Sequence, residues 1–316
     1  MTKILVTGAL GQIGTELAGE LAARYGNSSV VVSDVRKPQA VAGELEFVRL
    51  DVTNPDNIAD VLAEHEITDI FHMAAILSAF GEKEPALAYR VNSDGTFNIL
   101  EEGRKAGVRK VMIPSTIGVF GAETPRTNTP DITVLRPTTM YGVTKVNAEL
   151  LALYYRDKYG LDVRGLRFPG IISYLTPPSA GTTDYAVDIF YHAVQGKDYR
   201  CYLKKDTALP MMYMPDALHS LIQLFEAKGD KLRHCLEYNV SAYSFTPEEI
   251  YREIREVYPD FRITYEPDFR QKIADTWPAS LDSQYAREDW GFSPKYDLKH
   301  TVQDMIQNLR KMLVHQ

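Results

Sequence analysis

Apolar residues fall in short β-branched runs, and in the first half each run gives way to a stretch with helical spacing. KILVT (3–7) leads into an amphipathic segment from Gln12 to Tyr25, and VVVSD (30–34) follows. EFVRLD (46–51) precedes a helix that Asn54 caps and Pro55 begins. An Asn side chain accepts a first-turn N–H, and proline lacks the N–H that would go unpaired there. DIFHMAA (69–75), a long helix from about Pro85 to Ala106, KVMIPS (110–115), a helix ending near Tyr159 and VRGLRF (163–168) continue the alternation. Buried runs separated by helices predict a parallel sheet covered on both faces, a doubly wound α/β fold.

After Phe168 the alternation breaks down. PGIISYLTPPSAGTTDYA (169–186) is rich in Pro, Gly, Ser and Thr and reads as loop. Helices follow at about 184–195, 215–227 and 246–257, then a short run FRITY (261–265) and a final helix at about 297–314. Residues 1–168 are expected to form the main α/β unit. Residues 169–316 are expected to be mainly a small α/β cap, with some segments returning to the main unit.

Composition narrows the function classes. The 316-residue chain carries a net charge of -7, which argues against coating nucleic acid or an anionic membrane. No apolar stretch approaches the ~20 residues of a membrane span. MTKILVTGALGQIG enters a strand directly, so no signal peptide is read. The only cysteines, Cys201 and Cys235, stand far apart in no metal-ligand spacing. They suit a reducing compartment, and a cytoplasmic, metal-free protein is expected.

The first strand ends in T-G-A-L-G-Q-I-G, which puts Gly8, Gly11 and Gly14 on the turn into the first helix, with Gln12 and Ile13 among them. Glycines there let the backbone approach a pyrophosphate at the positive end of the helix, the arrangement of a Rossmann dinucleotide site. Asp34 closes the second strand about 20 residues on, where a carboxylate accepts the ribose hydroxyls of NAD and repels the 2′-phosphate of NADP. Arg36 complicates this, since an arginine nearby can accept that phosphate; NAD is the favoured cofactor. Asp51 in LDVT ends the third strand within reach of an adenine amino group, with Val52 beside it. Ala74 and Ala75 end the fourth strand with small side chains where a cofactor must pass closely. Asn92, a poor helix former inside a helix, either orients the catalytic loop or bonds to backbone.

YGVTK (141–145) sets Tyr141 four residues before Lys145 just inside a helix. Taken alone, such a pair is an ordinary surface pair on an amphipathic helix. Together with T-G-A-L-G-Q-I-G, D-V at 51–52, M-A-A at 73–75 and S-T-I-G-V-F-G at 115–121, however, it resembles the extended short-chain dehydrogenase/reductase superfamily, the branch that includes UDP-galactose 4-epimerase. The resemblance covers nearly the whole chain. It implies that Tyr141 is a general base and Lys145 its electrostatic partner and a holder of the nicotinamide ribose. It also implies that Thr116, with Ser115 beside it, holds the reacting oxygen. Pro169 follows the sixth strand on the cofactor side. A homodimer through the helices at about 85–106 and 139–159 is implied as well.

Relatives acting on nucleotide sugars carry R-Y-F-N after the sixth strand; here the stretch is R-F-P-G, with Gly170 in place of the asparagine. L-R-F-P-G-I-I-S, S-A-G-T-T-D-Y-A, P-M-M-Y-M-P-D and the T-W-P run at 276–278 are similar to the short-chain, zinc-free type of L-threonine 3-dehydrogenase. This implies NAD-dependent oxidation of a small zwitterionic substrate. Thr183, or Thr182 in its place, and Asp184 are candidates for the substrate ammonium, Ser78 for its carboxylate and Trp277 for a water-excluding cover. Asp184 reads equally as a helix N-cap, Trp277 as core, and Arg167 as a structural residue near the cofactor. The alternatives are a nucleotide-sugar epimerase or dehydratase and a non-catalytic NAD-sensing regulator.

Overall fold

The computed structural model describes residues 2–37, 45–177 and 181–314. The first half runs β1 (Ile4–Thr7), α1 (Gln12–Tyr25), β2 (Val30–Asp34), β3 (Glu46–Arg49), α2 (Pro55–Glu64), β4 (Asp69–His72), α3 (Ser78–Lys83), α4 (Pro85–Tyr89), α5 (Gly95–Lys105), β5 (Lys110–Met112), β6 (Ser115–Thr116), α6 (Met140–Tyr159), β7 (Asp162–Arg164) and β8 (Leu166–Phe168). The second half adds β9 (Gly170–Ile172), α7 (Tyr185–Val194), β10 (Tyr199–Cys201), β11 (Leu209–Tyr213), α8 (Met214–Glu226), β12 (Tyr238–Asn239) and β13 (Tyr243–Phe245). It ends with α9 (Pro247–Arg255), β14 (Ile263–Tyr265), α10 (Phe269–Ala274), α11 (Gln284–Trp290) and α12 (Leu298–Val314).

The main sheet is six-stranded and parallel in the order β3-β2-β1-β4-β5-β7. Its connections run outward in both directions from the β1/β4 pair, which makes the carboxyl ends of those strands the crevice of a doubly wound sheet. Strand alternation assigns the two faces. Ile4 and Val6 pack with α1 and α8, whereas Leu5, Val31, Ile70 and Val111 pack with α2, α5 and α6. A third core, around α7, α9 and α12, fills the second half. No helix among the described residues is long and apolar enough to cross a membrane.

Two expected strands prove to be two strands each. The run at 110–115 divides into β5 and β6, and the run at 163–168 into β7 and β8. Ile113 N–H still bonds Arg164 O at 2.9 Å, but Gly165 N–H turns to Cys235 O at 2.9 Å, so the ladder changes partner there. Beyond that point β6 and β8 join β12 in a second parallel sheet. The long helix expected from Pro85 to Ala106 is α4 and α5 joined by a π turn at Arg90–Asp94, centred on Asn92.

Candidate active site

The glycine turn between β1 and α1 is packed too closely for side chains. Gly8 has φ +63°, and a Cβ there would lie 2.6 Å from Ala74 backbone; one on Gly14 would lie 2.3 Å from Gly8 O. Helix α1 starts without a side-chain cap and without an acidic residue in its first turn, leaving its positive end for an anion. Asp34 is buried at the end of β2 and laces this turn together. Its carboxylate accepts Leu10 N–H at 3.3 Å, Arg36 N–H at 3.0 Å and Arg36 Nε–H at 3.2 Å. Arg36 Nη2 in turn donates to Leu10 O at 3.2 Å. The tight glycine turn and uncapped helix end fit a dinucleotide pyrophosphate, and Asp34 stands beside them at the end of β2.

Beside it runs a polar chain whose proton directions follow from its chemistry. Thr96 Oγ1 donates to Asn92 O at 2.6 Å, so it accepts from His72 Nε2 at 3.3 Å. His72 Nδ1 then accepts from Thr7 Oγ1 at 2.8 Å, and Thr7 Oγ1 receives Ala74 N–H at 3.4 Å. Burial, helped by the Lys145 charge, pushes His72 down to about 3, which keeps the ring neutral as this chain requires. Asn92 clamps the strand exit: its Oδ1 accepts Ile76 N–H at 2.8 Å and its Nδ2 donates to Ile76 O at 3.0 Å and Thr144 Oγ1 at 3.1 Å. Thr144 Oγ1 donates to Tyr141 O at 2.9 Å, which ties the clamp to α6.

Thr139 Oγ1 caps α6 by accepting Gly142 N–H at 3.0 Å, and Tyr141 and Lys145 follow on the turn nearest the cleft. Burial pushes the Tyr141 phenol up to about 12, against a hydrogen bond from Thr116 that pulls it down. Lys145 donates to Pro114 O at 2.9 Å and is pushed down to about 8 by burial, against the opposing charge of Glu149. The protein's own groups therefore hold the phenol protonated and leave the ammonium charged at neutral pH. Thr116 Oγ1 accepts Gly118 N–H at 3.1 Å, which frees its proton for the phenol side. Ser115 is engaged elsewhere: its hydroxyl donates to buried Glu149 at 2.5 Å. Glu149 also takes two hydrogen bonds from Arg167, at 2.8 and 2.7 Å.

The opposite wall comes from the second half. One cleft, open to solvent and with an accessible volume of ≈ 150 Å³, is lined by Gln12, Ile13, Ala75, Ser78, Ser115, Thr116, Tyr141, Lys145, Pro169, Thr183, Asp184 and Trp277. Thr182 lines it too; its hydroxyl is buried and has no hydrogen-bond partner among the described residues. Asp184 stands at the N-cap position of α7, but its side chain does not cap the helix and instead accepts Gly181 N–H at 2.9 Å. Trp277 is 5 % exposed; it belongs to the third core and also lines the cleft. Gly170 leaves no room for a side chain, since a Cβ there would lie 2.3 Å from Met211 Sδ and 2.9 Å from Thr183.

With this geometry in place, the family model described as the NAD dependent epimerase/dehydratase family matches residues 4–240. The chain belongs to the NAD dependent epimerase/dehydratase family. Among solved structures of this fold, the chain is similar to a GalE-like L-threonine dehydrogenase from Cupriavidus necator in its holo form. The two are 49 % identical with a TM-score of 0.95, covering 97 % of this chain and 99 % of the other. An L-threonine dehydrogenase from Clostridium difficile is 46 % identical with a TM-score of 0.96, over 99 % and 98 % of the two chains. An uncharacterised epimerase/dehydratase of Staphylococcus saprophyticus is 46 % identical over 309 residues, 97 % of this chain and 96 % of that protein.

Within this family site, several residues read from the sequence lie outside the cleft lining. Gly8, Gly11 and Gly14 form the turn beneath it, with Ala74 pressed on Gly8. Asp51 is exposed and closes a turn of its own by accepting Thr53 N–H at 2.9 Å and Thr53 Oγ1 at 2.8 Å. Val52 is buried, and its carbonyl accepts Asn98 Nδ2 at 3.1 Å. His72 and the Glu149–Arg167 pair went unnoticed as a connected framework. The signal available for the pair was a glutamate four residues beyond Lys145 on the same helix face.

Proposed function

We propose that this chain oxidises the secondary hydroxyl of L-threonine to 2-amino-3-oxobutanoate with NAD. The observation that carries this reading is the make-up of the cleft. Tyr141, Thr116 and Lys145 stand on one side, small hydroxyl and carboxylate side chains on the other, and the described lining residues include no arginine. A nucleotide-sugar diphosphate calls for clustered cations, and the usual asparagine would collide at Gly170. An accessible volume of ≈ 150 Å³ suits a small substrate such as an amino alcohol.

In this reading the substrate hydroxyl sits between Tyr141 and Thr116. Thr116 donates to the oxygen and fixes its direction, and Tyr141 removes its proton as the adjacent C–H bond breaks. When bound, oxidised NAD would supply the hydride acceptor and a positive ring charge. Lys145 adds a second cation on the same side, so the two oppose the burial that holds the phenol neutral. Asp184 faces the substrate ammonium. Thr183, or Thr182 in its place, offers its hydroxyl oxygen to the same ammonium, and Ser78 donates to the carboxylate. The Thr182 hydroxyl has no partner among the described residues, which favours it, since a buried hydroxyl left unpaired costs about 1–3 kcal/mol, which such a contact removes. Trp277 closes the wall and excludes water. Asp34 favours NAD, because its tie to Arg36 keeps the guanidinium off a 2′-phosphate.

Purified protein given L-threonine should form NADH with NAD at a rate well above that with NADP. Absence of NADH together with turnover of a UDP-sugar would overturn the reading. Exposed apolar side chains on adjacent helices α4, α5 and α6 (Leu87, Tyr89, Phe97, Val143, Leu150 and Tyr154) support a homodimer through these faces. Light scattering should report twice the chain mass, and a monomer mass at micromolar concentration would contradict it.

A further inference from the structure

Tyr141, Lys145 and Glu149 follow one another on α6 at four-residue spacing, so they share one face of the helix. Lys145 is 8 % exposed, Glu149 3 % and Arg167 1 %. The ammonium's hydrogen bond goes to Pro114 O, a neutral acceptor that does not balance its charge. Glu149 stands one turn further along the same helix face, also buried, and acts on the ammonium by its charge without an ion pair between them among the described residues; Arg167 grips that same carboxylate with two hydrogen bonds. Two buried cations thus depend on one buried anion. Arginine keeps its proton in any protein environment, so the lysine is the one that would give way.

We propose that Glu149 is a positioning residue for the oxidation: it is the counter-ion that keeps Lys145 charged next to Arg167, so that Tyr141 has a cation to ionise against. The proposal rests on Tyr141 and Lys145 acting as described above. Ser115 belongs to the same device, since its hydroxyl fixes the Glu149 carboxylate and is not directed at the substrate. Burial already brings Lys145 down to about 8, and the Glu149 charge is what opposes a further fall. The other titratable groups around the ammonium are Tyr141 on its own helix and His72 on β4. His72 is neutral, and Tyr141 is neutral until it reacts, so neither replaces Glu149.

The test reads the Lys145 proton directly, by NMR titration of isotope-labelled lysine ε-carbons, with the Lys145 signal identified by its absence in Lys145→Arg. Glu149→Gln should lower the Lys145 midpoint by about one pH unit or more, a roughly tenfold change in its ionisation constant. Arg167→Met, which leaves Glu149 to Lys145 alone, should raise it. Opposite shifts are the signature of charge; a purely structural anchor gives shifts of one sign or none, and that result would overturn the proposal. If Glu149→Gln does not fold, the direction in Arg167→Met decides, and a fall there overturns it. In the L-threonine assay the alkaline limb of kcat/KM should move to lower pH in Glu149→Gln. A wild-type protein inactive on L-threonine would remove the functional reading while the NMR midpoints still judged the charge relation.

Discussion

Replacing Tyr141 by Phe is expected to lower kcat for L-threonine oxidation by about 10³-fold, inside the ~10²–10⁴ contributed by a positioned acid–base group. NAD affinity should stay within about twofold, because the ring is kept and only Oη is lost. The ring packs beside Gly118, 3.2 Å from where a Cβ there would sit, and the Lys145 ammonium lies 5.9 Å from its centroid. Phe preserves both contacts. With the phenol at about 12, only about 10⁻⁵ of it would be ionised at pH 7. Base catalysis therefore depends on cations near Oη, and the wild-type rate should rise with pH for as long as Lys145 keeps its proton. Turnover measured by NADH absorbance and NAD affinity measured by calorimetry separate the two effects. A variant that retained a third of the wild-type rate would transfer the base role to another group.

How much of this site was legible depended on how local each determinant is. The glycine turn, Asp34, the Asn54 cap and the Tyr141–Lys145 spacing are set within a few residues, and they lie where the pattern places them. The choice between Ser115 and Thr116 was not local. Both line the cleft, but the Ser115 hydroxyl is taken by Glu149, 34 positions away, and Arg167, 52 positions away, holds that carboxylate in turn. Asn92 was conspicuous as a helix breaker, but its π turn exists because the amide clamps Ile76 and Thr144 from outside the helix. The divided strands likewise depend on ladder partners at β12 and Cys235, far along the chain. Asp184 stood where a cap would stand, yet the preference for acidic N-caps did not predict that Gly181 N–H would take the carboxylate instead.

Changing Gly14 to Ala is expected to weaken NAD binding by at least about 100-fold, roughly 2.7 kcal/mol. The added methyl would lie 2.3 Å from Gly8 O and 2.9 Å from Ala9 Cα. Those are backbone atoms, with no flexible side-chain end to move aside. Gly8 has little room to retreat either, because a Cβ on it would already lie 2.6 Å from Ala74 backbone and its φ of +63° suits glycine. Relief must come from lifting the start of α1 off the turn, which moves the helix N-terminus that a pyrophosphate needs. Gly19 supplies the control within the same helix: a Cβ there meets nothing within 4 Å. Gly19→Ala should bind NAD as wild type does and gain up to about 1 kcal/mol of stability, since alanine loses less backbone entropy in a helix. Calorimetric NAD affinities for the two variants make the comparison, with thermal melts checking that each is folded. Equal affinities would mean that the turn does not carry the pyrophosphate, and the cradle would have to be sought elsewhere along the crevice.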